Sequence, residues 1–232
     1  MAVVDGLIRE HKRIISGYGG HKDVDIERWN EAQEPAHVAL SLTGEPLFYP
    51  KISQLLEEFH RRKISTFLVT NGTMARALRS MTTLPTQLYV SVQAPNREVY
   101  DKVTRPKALA SGWDSFQEFL GVFSGLHTRR VFRLTLIRGV NMVDAKGYAE
   151  LIRKGKPHYV EVKGFAYVGG ARNESRNLSY GQMPSGGEIR SFAEEIASES
   201  GYVLADYHES SNIALLCSDA QAARKRIIAF EK

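Results

Sequence analysis

Residues 37–73, HVALSLTGEPLFYPKISQLLEEFHRRKISTFLVTNGT, hold the pattern that decides the fold. An apolar run at 37–42 reads as a buried strand and is followed by a polar, glycine-bearing turn. The stretch 52–64 then carries Ile52, Leu55, Leu56 and Phe59 on one face. A second strand-like run at 66–69 ends in Thr70-Asn71-Gly72-Thr73. Apolar spacing of three and four residues marks an amphipathic helix, and a short apolar run bounded by turn residues marks a strand. Strand, helix and strand in this order make a βαβ unit, with parallel strands and a right-handed crossover.

The alternation continues both ways. Residues 3–15 place Val3, Val4, Leu7, Ile8 and Ile14 between charges, an amphipathic helix ended by the glycine-rich run 17–20. A short helix is expected at 74–81. The strand at 87–92 puts Tyr89 and Ser91 on one face and Leu88, Val90 and Val92 on the other. Helices follow at 99–103 and 112–126, a strand at 131–137, and a helix at 144–153 capped by Asp144, whose carboxylate can accept an orphan backbone N–H. A strand at 159–162, a helix at 189–199 stopped by Gly201, short strands at 203–205 and 213–216, and a basic terminal helix at 219–230 complete the chain. Residues 169–187, rich in Gly, Ser, Asn and Arg, read either as a long flexible loop or as a plain surface connection. We expect one domain over 1–232, with 203–232 as a C-terminal extension packed on it.

Composition narrows the function classes. The chain has 232 residues, 43% hydrophobic and 25% charged, which is ordinary globular usage. No apolar run approaches the roughly 20 residues that span a bilayer, so no membrane partner is expected. Residues 1–8 are too short and too soon charged for a secretory signal, and a cytoplasmic protein is expected. Cys217 is the single cysteine. It excludes an intramolecular disulfide and any iron–sulfur cluster held by this chain's cysteines alone, and it reads as a small buried hydrophobe. No metal ligand is assigned. The net charge of +5 favours a polyanionic partner, although many basic proteins bind no nucleic acid.

In parallel α/β sheets the ligand lies beyond the C-terminal ends of the strands. After the first strand come Thr43, Gly44 and Glu45. A glycine there lets backbone approach a ligand, and a carboxylate can pair with an ammonium group; a tight turn with a solvated Glu is the plainer alternative. Asn71-Gly72 is also a common turn signal. Ser91 ends the third strand. Arg133 lies in an apolar strand, where burial demands an anion: a ligand, or Glu161 in a structural salt bridge. Asn141 follows the fourth strand. Lys163 could hold an anionic substrate, form a Schiff base with a keto acid, or pair with Glu161.

Taken in order, these segments resemble the radical S-adenosylmethionine (SAM) superfamily. Thr43-Gly44-Glu45 is similar to its Gly-Gly-Glu-like segment, which holds the methionine ammonium. Asn71, Ser91, Arg138-Gly139-Val140-Asn141 and Glu161-Val162-Lys163-Gly164 are similar to its later strand ends. The match narrows to the tRNA 4-demethylwyosine synthases through Ser41-Leu42-Thr43-Gly44-Glu45-Pro46, Tyr49-Pro50, Leu68-Val69-Thr70-Asn71-Gly72-Thr73, Arg133-Leu134-Thr135-Leu136-Ile137 and Met183-Pro184. The resemblance runs from about residue 10 to 216. It implies an incomplete parallel (β/α) barrel of radical SAM type, without the N-terminal strand and cluster-binding loop. It also implies a lyase-class enzyme that builds a third ring on N1-methylguanosine of phenylalanine tRNA with carbons from pyruvate, using SAM and [4Fe–4S] clusters. Thr43, Gly44, Glu45, Asn71, Ser91, Arg133, Asn141 and Glu161 are the implied cofactor-binding residues, and Lys163 the candidate catalytic one.

The family places a Cys-x-x-x-Cys-x-x-Cys loop ahead of the segment aligned with residues 3–15, and further cysteines nearer its N-terminus. This sequence contains neither. The opening of the chain in a helix leads us to expect an N-terminal truncation, with an isolated chain that is inactive and a gap beside the 37–42 strand through which a homodimer could form. The family also more often carries a His and an acidic residue where this chain has Gly186 and Gly187. A non-catalytic relative binding tRNA or a metabolite is the alternative reading.

Overall fold

The structure, a computed structural model, describes residues 2–42, 44–105 and 112–228. Five parallel strands follow the expected alternation: β1 (His37–Leu40), β2 (Ser65–Thr70), β3 (Gln87–Ser91), β4 (Arg129–Leu136) and β5 (Tyr159–Gly164). Two more, β6 (Val203–His208) and β7 (Ile213–Cys217), complete one seven-stranded sheet in the order β1-β2-β3-β4-β5-β7-β6. β7 runs antiparallel to β5, and β6 antiparallel to β7. The sheet is a partial barrel: β1 pairs with β2 alone, and no ladder joins β1 to β6 among the described residues.

Helices flank the sheet. They are α1 (Ala2–Ser16), α2 (Ile26–Ala32), α3 (Ile52–Arg61), α4 (Ala75–Arg79), α5 (Arg97–Thr104), α6 (Gly112–Phe123), α7 (Ala145–Gly155), α8 (Gly186–Ser200) and α9 (Ala220–Arg224). Helices α3 to α8 cover its convex face. The strand residues on that face, Leu68, Leu88, Val90, Phe132, Leu134, Val160 and Val162, are fully buried against Leu56, Phe116, Phe119, Phe123 and Ile189. Full burial of a Leu or Phe side chain contributes about 1.5–3 kcal/mol, so this layer dominates stability. The period of two in each strand then fixes the other set on the concave face: Tyr89, Ser91, Arg133, Glu161 and Lys163, all only partly buried. Tight packing thus determines where the polar groups point.

Several expectations are corrected. The 37–42 strand ends at Leu40 and alternates exposed and half-buried rather than lying buried, because among the described residues it has a neighbouring strand on one edge only. The expected parallel-dominated sheet is present, and the 203–205 and 213–216 runs join it as an antiparallel pair. Residues 169–187 contain three 3-10 turns, Gly169–Arg172, Glu174–Arg176 and Tyr180–Gln182, and the first two residues of α8. Helix α8 starts three residues before the expected position. Ser185 and Glu188 form a capping box there, which the weak helix preference of Gly186 and Gly187 obscures in the sequence. The terminal helix stops at Arg224; its expected continuation at 229–230 lies outside the described residues. Helix α9 closes one end of the concave face. The Tyr159 hydroxyl lies 3.0 Å from the Ala222 carbonyl oxygen, and Arg129 Nη1 donates to the Lys225 carbonyl at 2.9 Å.

Candidate functional site

The C-terminal ends of the strands form a rim. Beyond β1 the chain turns sharply, with φ +87° at Leu42 and +80° at Gly44, a region that glycine enters at no steric cost. Thr43 lies outside the described residues. The turn delivers Glu45 to the N-terminus of a 3-10 turn, Pro46–Phe48. There Oε1 accepts from the Leu47 N–H (3.2 Å) and Oε2 from the Asn71 N–H (2.7 Å). Half-buried Glu45 joins the ends of β1 and β2 and still has unused lone pairs. Asn71 Oδ1 accepts from the Thr73 N–H (3.0 Å) and Oγ1 (2.6 Å), so the Asn-Gly turn reading and the position at the rim both hold. Gly72, at φ +73°, passes so near Phe116 that a Cβ would stand 2.9 Å from Cδ2.

On the concave face, cross-strand register aligns Ser91 with Arg133 and Arg133 with Glu161. Arg133 Nε donates to Glu161 Oε2 at 2.8 Å, and its guanidinium lies 4.5 Å from the centre of the Tyr89 ring. The structural reading of Arg133, a salt bridge with Glu161, is present in this geometry. The Nε edge is a structural ion pair, while the two Nη atoms have no hydrogen-bond partner among the described residues. Burial and the neighbouring Glu161 carboxylate push the Tyr89 hydroxyl up to about 12, so it stays protonated as a donor. The role of Tyr89 escapes sequence reading. Its face is legible from the period of two, but a cation over its ring requires the register of a strand 40 residues away.

Lys163 sits one row higher, opposite Thr135. It is not the partner of Glu161, since Arg133 occupies that carboxylate. Asn141 is fully buried beneath the rim. Its Oδ1 accepts from the Ile137 N–H (2.7 Å), and its Nδ2 donates to the Gln93 (2.9 Å) and Thr135 (3.0 Å) carbonyls. It pins the ends of β3 and β4 together, and its side chain does not face the site. A cleft of about 1080 Å³ opens at this rim, lined by Asn71, Gln93, Lys102, Arg105, Ile137 and Arg176 among others.

The amino-acid end of SAM carries an ammonium and a carboxylate. A carboxylate with spare lone pairs at Glu45, neutral groups at Asn71 and Ser91, and a guanidinium with a free fork at Arg133 form a donor set that fits both charges. An iron–sulfur cluster does not fit the residues present. It needs thiolates, and the single thiol, Cys217, is buried with Val131 and Tyr159, a burial that pushes its pKa up and keeps it protonated.

Residues 22–152 match the family model of the radical SAM superfamily, and residues 154–218 that of wyosine base formation. The fold, the rim and the first match make the chain a member of the radical SAM superfamily. The chain is 42% identical over 221 residues to the S-adenosyl-L-methionine-dependent tRNA 4-demethylwyosine synthase of Pyrococcus abyssi (strain GE5 / Orsay), covering 94% of this chain and 64% of that protein. The enzyme of the same name from Oryza sativa subsp. japonica is 37% identical over 216 residues, covering 92% of this chain and 32% of that one. A solved structure of TYW1 with a lysine-pyruvate adduct bound superposes with a TM-score of 0.83 at 34% identity, covering 94% of this chain and 68% of that chain. Within the superfamily, the chain belongs to the tRNA 4-demethylwyosine synthase family. It spans just under two thirds of the length of its Pyrococcus relative.

Proposed function

We propose that this chain is the catalytic barrel of a tRNA 4-demethylwyosine synthase, a lyase acting on N1-methylguanosine in phenylalanine tRNA with pyruvate as carbon donor. The observation that carries the reading is the paired charge at the rim: the Glu45 carboxylate held by two backbone amides, and the Arg133 guanidinium held by Glu161 with its fork free. Glu45 would take the cofactor's ammonium, Arg133 its carboxylate, and Asn71 and Ser91 weaker contacts, with Gly44 shaping the turn. SAM, when bound beside a reduced cluster, supplies one-electron chemistry that no side chain can. The protein's part is to orient it, keep its charges paired and hold the base within reach. A nucleotide withdrawn from its stack needs a wide mouth, which the rim cleft offers.

Pyruvate is an anion, and Lys163 is a cation on the concave face near the rim. The lysine-pyruvate adduct is reported for the related TYW1 structure. Here Lys163 is the candidate to meet the keto acid. No helix among the described residues is long and apolar enough to cross a membrane, in keeping with a cytoplasmic enzyme of tRNA.

The alternative reading is a non-catalytic relative that binds tRNA or a metabolite. The two separate experimentally. The chain, joined to a segment bearing the cluster cysteines of its relatives, is supplied with SAM, pyruvate, reductant and N1-methylguanosine-containing tRNA. The enzyme reading expects the tricyclic base in the nucleoside digest; intact cluster and bound tRNA without that base would overturn it. Borohydride treatment with pyruvate, followed by peptide mass analysis, tests Lys163. A label on Lys163 supports a covalent role, and a label elsewhere assigns that role to another lysine. The isolated 232-residue chain is expected to hold no [4Fe–4S] cluster after anaerobic reconstitution; stoichiometric iron and sulfide would contradict this.

A further inference from the structure

We propose that Lys102, Arg105 and Arg176 form a phosphate clamp on one wall of the rim cleft, gripping the RNA backbone beside the nucleotide under modification. The inference rests on the tRNA reading above and extends it to residues of this chain. Lys102 lies in the last turn of α5, Arg105 is its C-cap, and Arg176 ends the 3-10 turn Glu174–Arg176. Arg105 Nη1 donates to the Ser175 carbonyl at 3.4 Å, which ties the end of α5 to that turn. All three cations line the cleft, and its described lining contains no Asp or Glu.

None of the three is ion-paired among the described residues, and neighbouring Glu174 pairs with none of them. Elsewhere on this protein arginines commonly find carboxylates: Arg62 with Asp5 and Glu58, Arg79 with Glu118, Arg133 with Glu161 and Arg138 with Glu188. Three like charges facing one cleft repel one another unless an anion enters it. The helix dipole gives Lys102 and Arg105 a structural reason to stand at the end of α5, but it gives Arg176 none. A small keto acid or the cofactor's carboxylate needs one cation. Three cations spread over two chain segments match successive phosphates of a strand.

The chain in its present form can be titrated against a fluorescently labelled RNA stem–loop by anisotropy, over a series of potassium chloride concentrations. Lys102→Ala, Arg105→Ala and Arg176→Ala should each weaken binding several-fold at low salt. Each should also flatten the plot of log affinity against log salt by about 0.7–0.9, the share of one released counterion. Arg176→Lys should keep the wild-type slope, because a phosphate contact requires charge rather than the guanidinium plane. Lys12→Ala, on the exposed side of α1, should leave both quantities unchanged. Circular dichroism confirms that each variant is folded. RNA binding with unchanged slopes in all three alanine variants would overturn the clamp and leave the tRNA reading intact, since that reading is judged by base formation in the joined enzyme. Absence of any salt-dependent RNA binding by the wild type would also overturn it.

Discussion

At the residue scale, Glu45 carries two duties, and they can be separated. Its carboxylate caps the 3-10 turn through Leu47 and bridges to the Asn71 amide. Loss of a cap costs about 0.5–2 kcal/mol. A charge-assisted bond to an ammonium contributes about 1.5–3 kcal/mol. In the joined enzyme, Glu45→Ala should weaken SAM binding by about tenfold to a hundredfold. Glu45→Gln keeps an amide oxygen for the cap, so it should restore much of the urea stability but little of the affinity. Calorimetric titration and urea melts on both variants check this; unchanged affinity in folded Glu45→Ala would remove the ammonium assignment. Arg133 admits a parallel split. Arg133→Lys keeps a cation near Glu161 but loses the fork, so SAM affinity should fall while thermal stability changes little. A large stability loss with unaltered affinity would make Arg133 purely structural. The position of Glu45 was legible from its strand end, and that of Arg133 from a charge set in an apolar strand. Asn141 was not. A polar residue after a strand looks the same in sequence whether it faces a ligand or, as here, turns inward to satisfy three backbone groups.

At the element scale, caps and charges decide where helices begin. Glu188 closes the capping box of α8 and binds Arg138 through Nε (2.7 Å) and Nη2, tying the start of α8 to the turn after β4. The Arg138 guanidinium and the Ser185 hydroxyl hold the Glu188 carboxyl at about 2, below its ordinary 4.5. A carboxyl whose folded value is depressed binds protons more readily in the unfolded chain. Its contribution is therefore complete above about pH 4.5 and is lost as pH falls toward 2. Glu58, held low by Arg61 and Arg62 in the last turn of α3, behaves the same way. Glu188→Gln should therefore flatten, without abolishing, the fall in urea midpoint between pH 4.5 and pH 2. A variant whose acid profile coincides with the wild type would show that the Arg138 contact does not form in solution. The periodicities of α3, α6 and α7 were plain in the sequence because their buried faces pack on the core, whereas α2, which buries no residue, gave no such signal. The start of α8 was not plain, since its cap lies ahead of two glycines and one half of its charge pair lies 50 residues away.

At the scale of the whole molecule, the partial barrel has β1 at one end, paired with β2 alone among the described residues. The βαβ alternation announced the parallel strands, but the return of β6 and β7 as an antiparallel pair was hidden. Short apolar runs carry no direction, and only the connection between Val203–His208 and Ile213–Cys217, a single 3-10 turn, forces the reversal. The consequence is asymmetric. β6 ends the sheet beyond β7, whereas β1 is four residues long and, among the described residues, forms a ladder with β2 alone. Unpaired strand edges recruit other strands. Near it, α1 buries Val4 and Ile8 against Phe59 and Ile64 but exposes Val3, Leu7 and Ile14. An apolar stripe beside an open edge invites a second copy. The isolated chain should thus self-associate as its concentration rises, giving an increasing sedimentation coefficient. Ala39→Lys puts a charge on the edge strand, a device natural sheets use against such pairing, and should return the protein toward monomer without lowering its melting temperature appreciably. A wild type that sediments as a monomer over a wide concentration range would contradict the argument. If Ala39→Lys leaves association intact while Leu7→Glu abolishes it, the helix stripe rather than the strand edge is the contact.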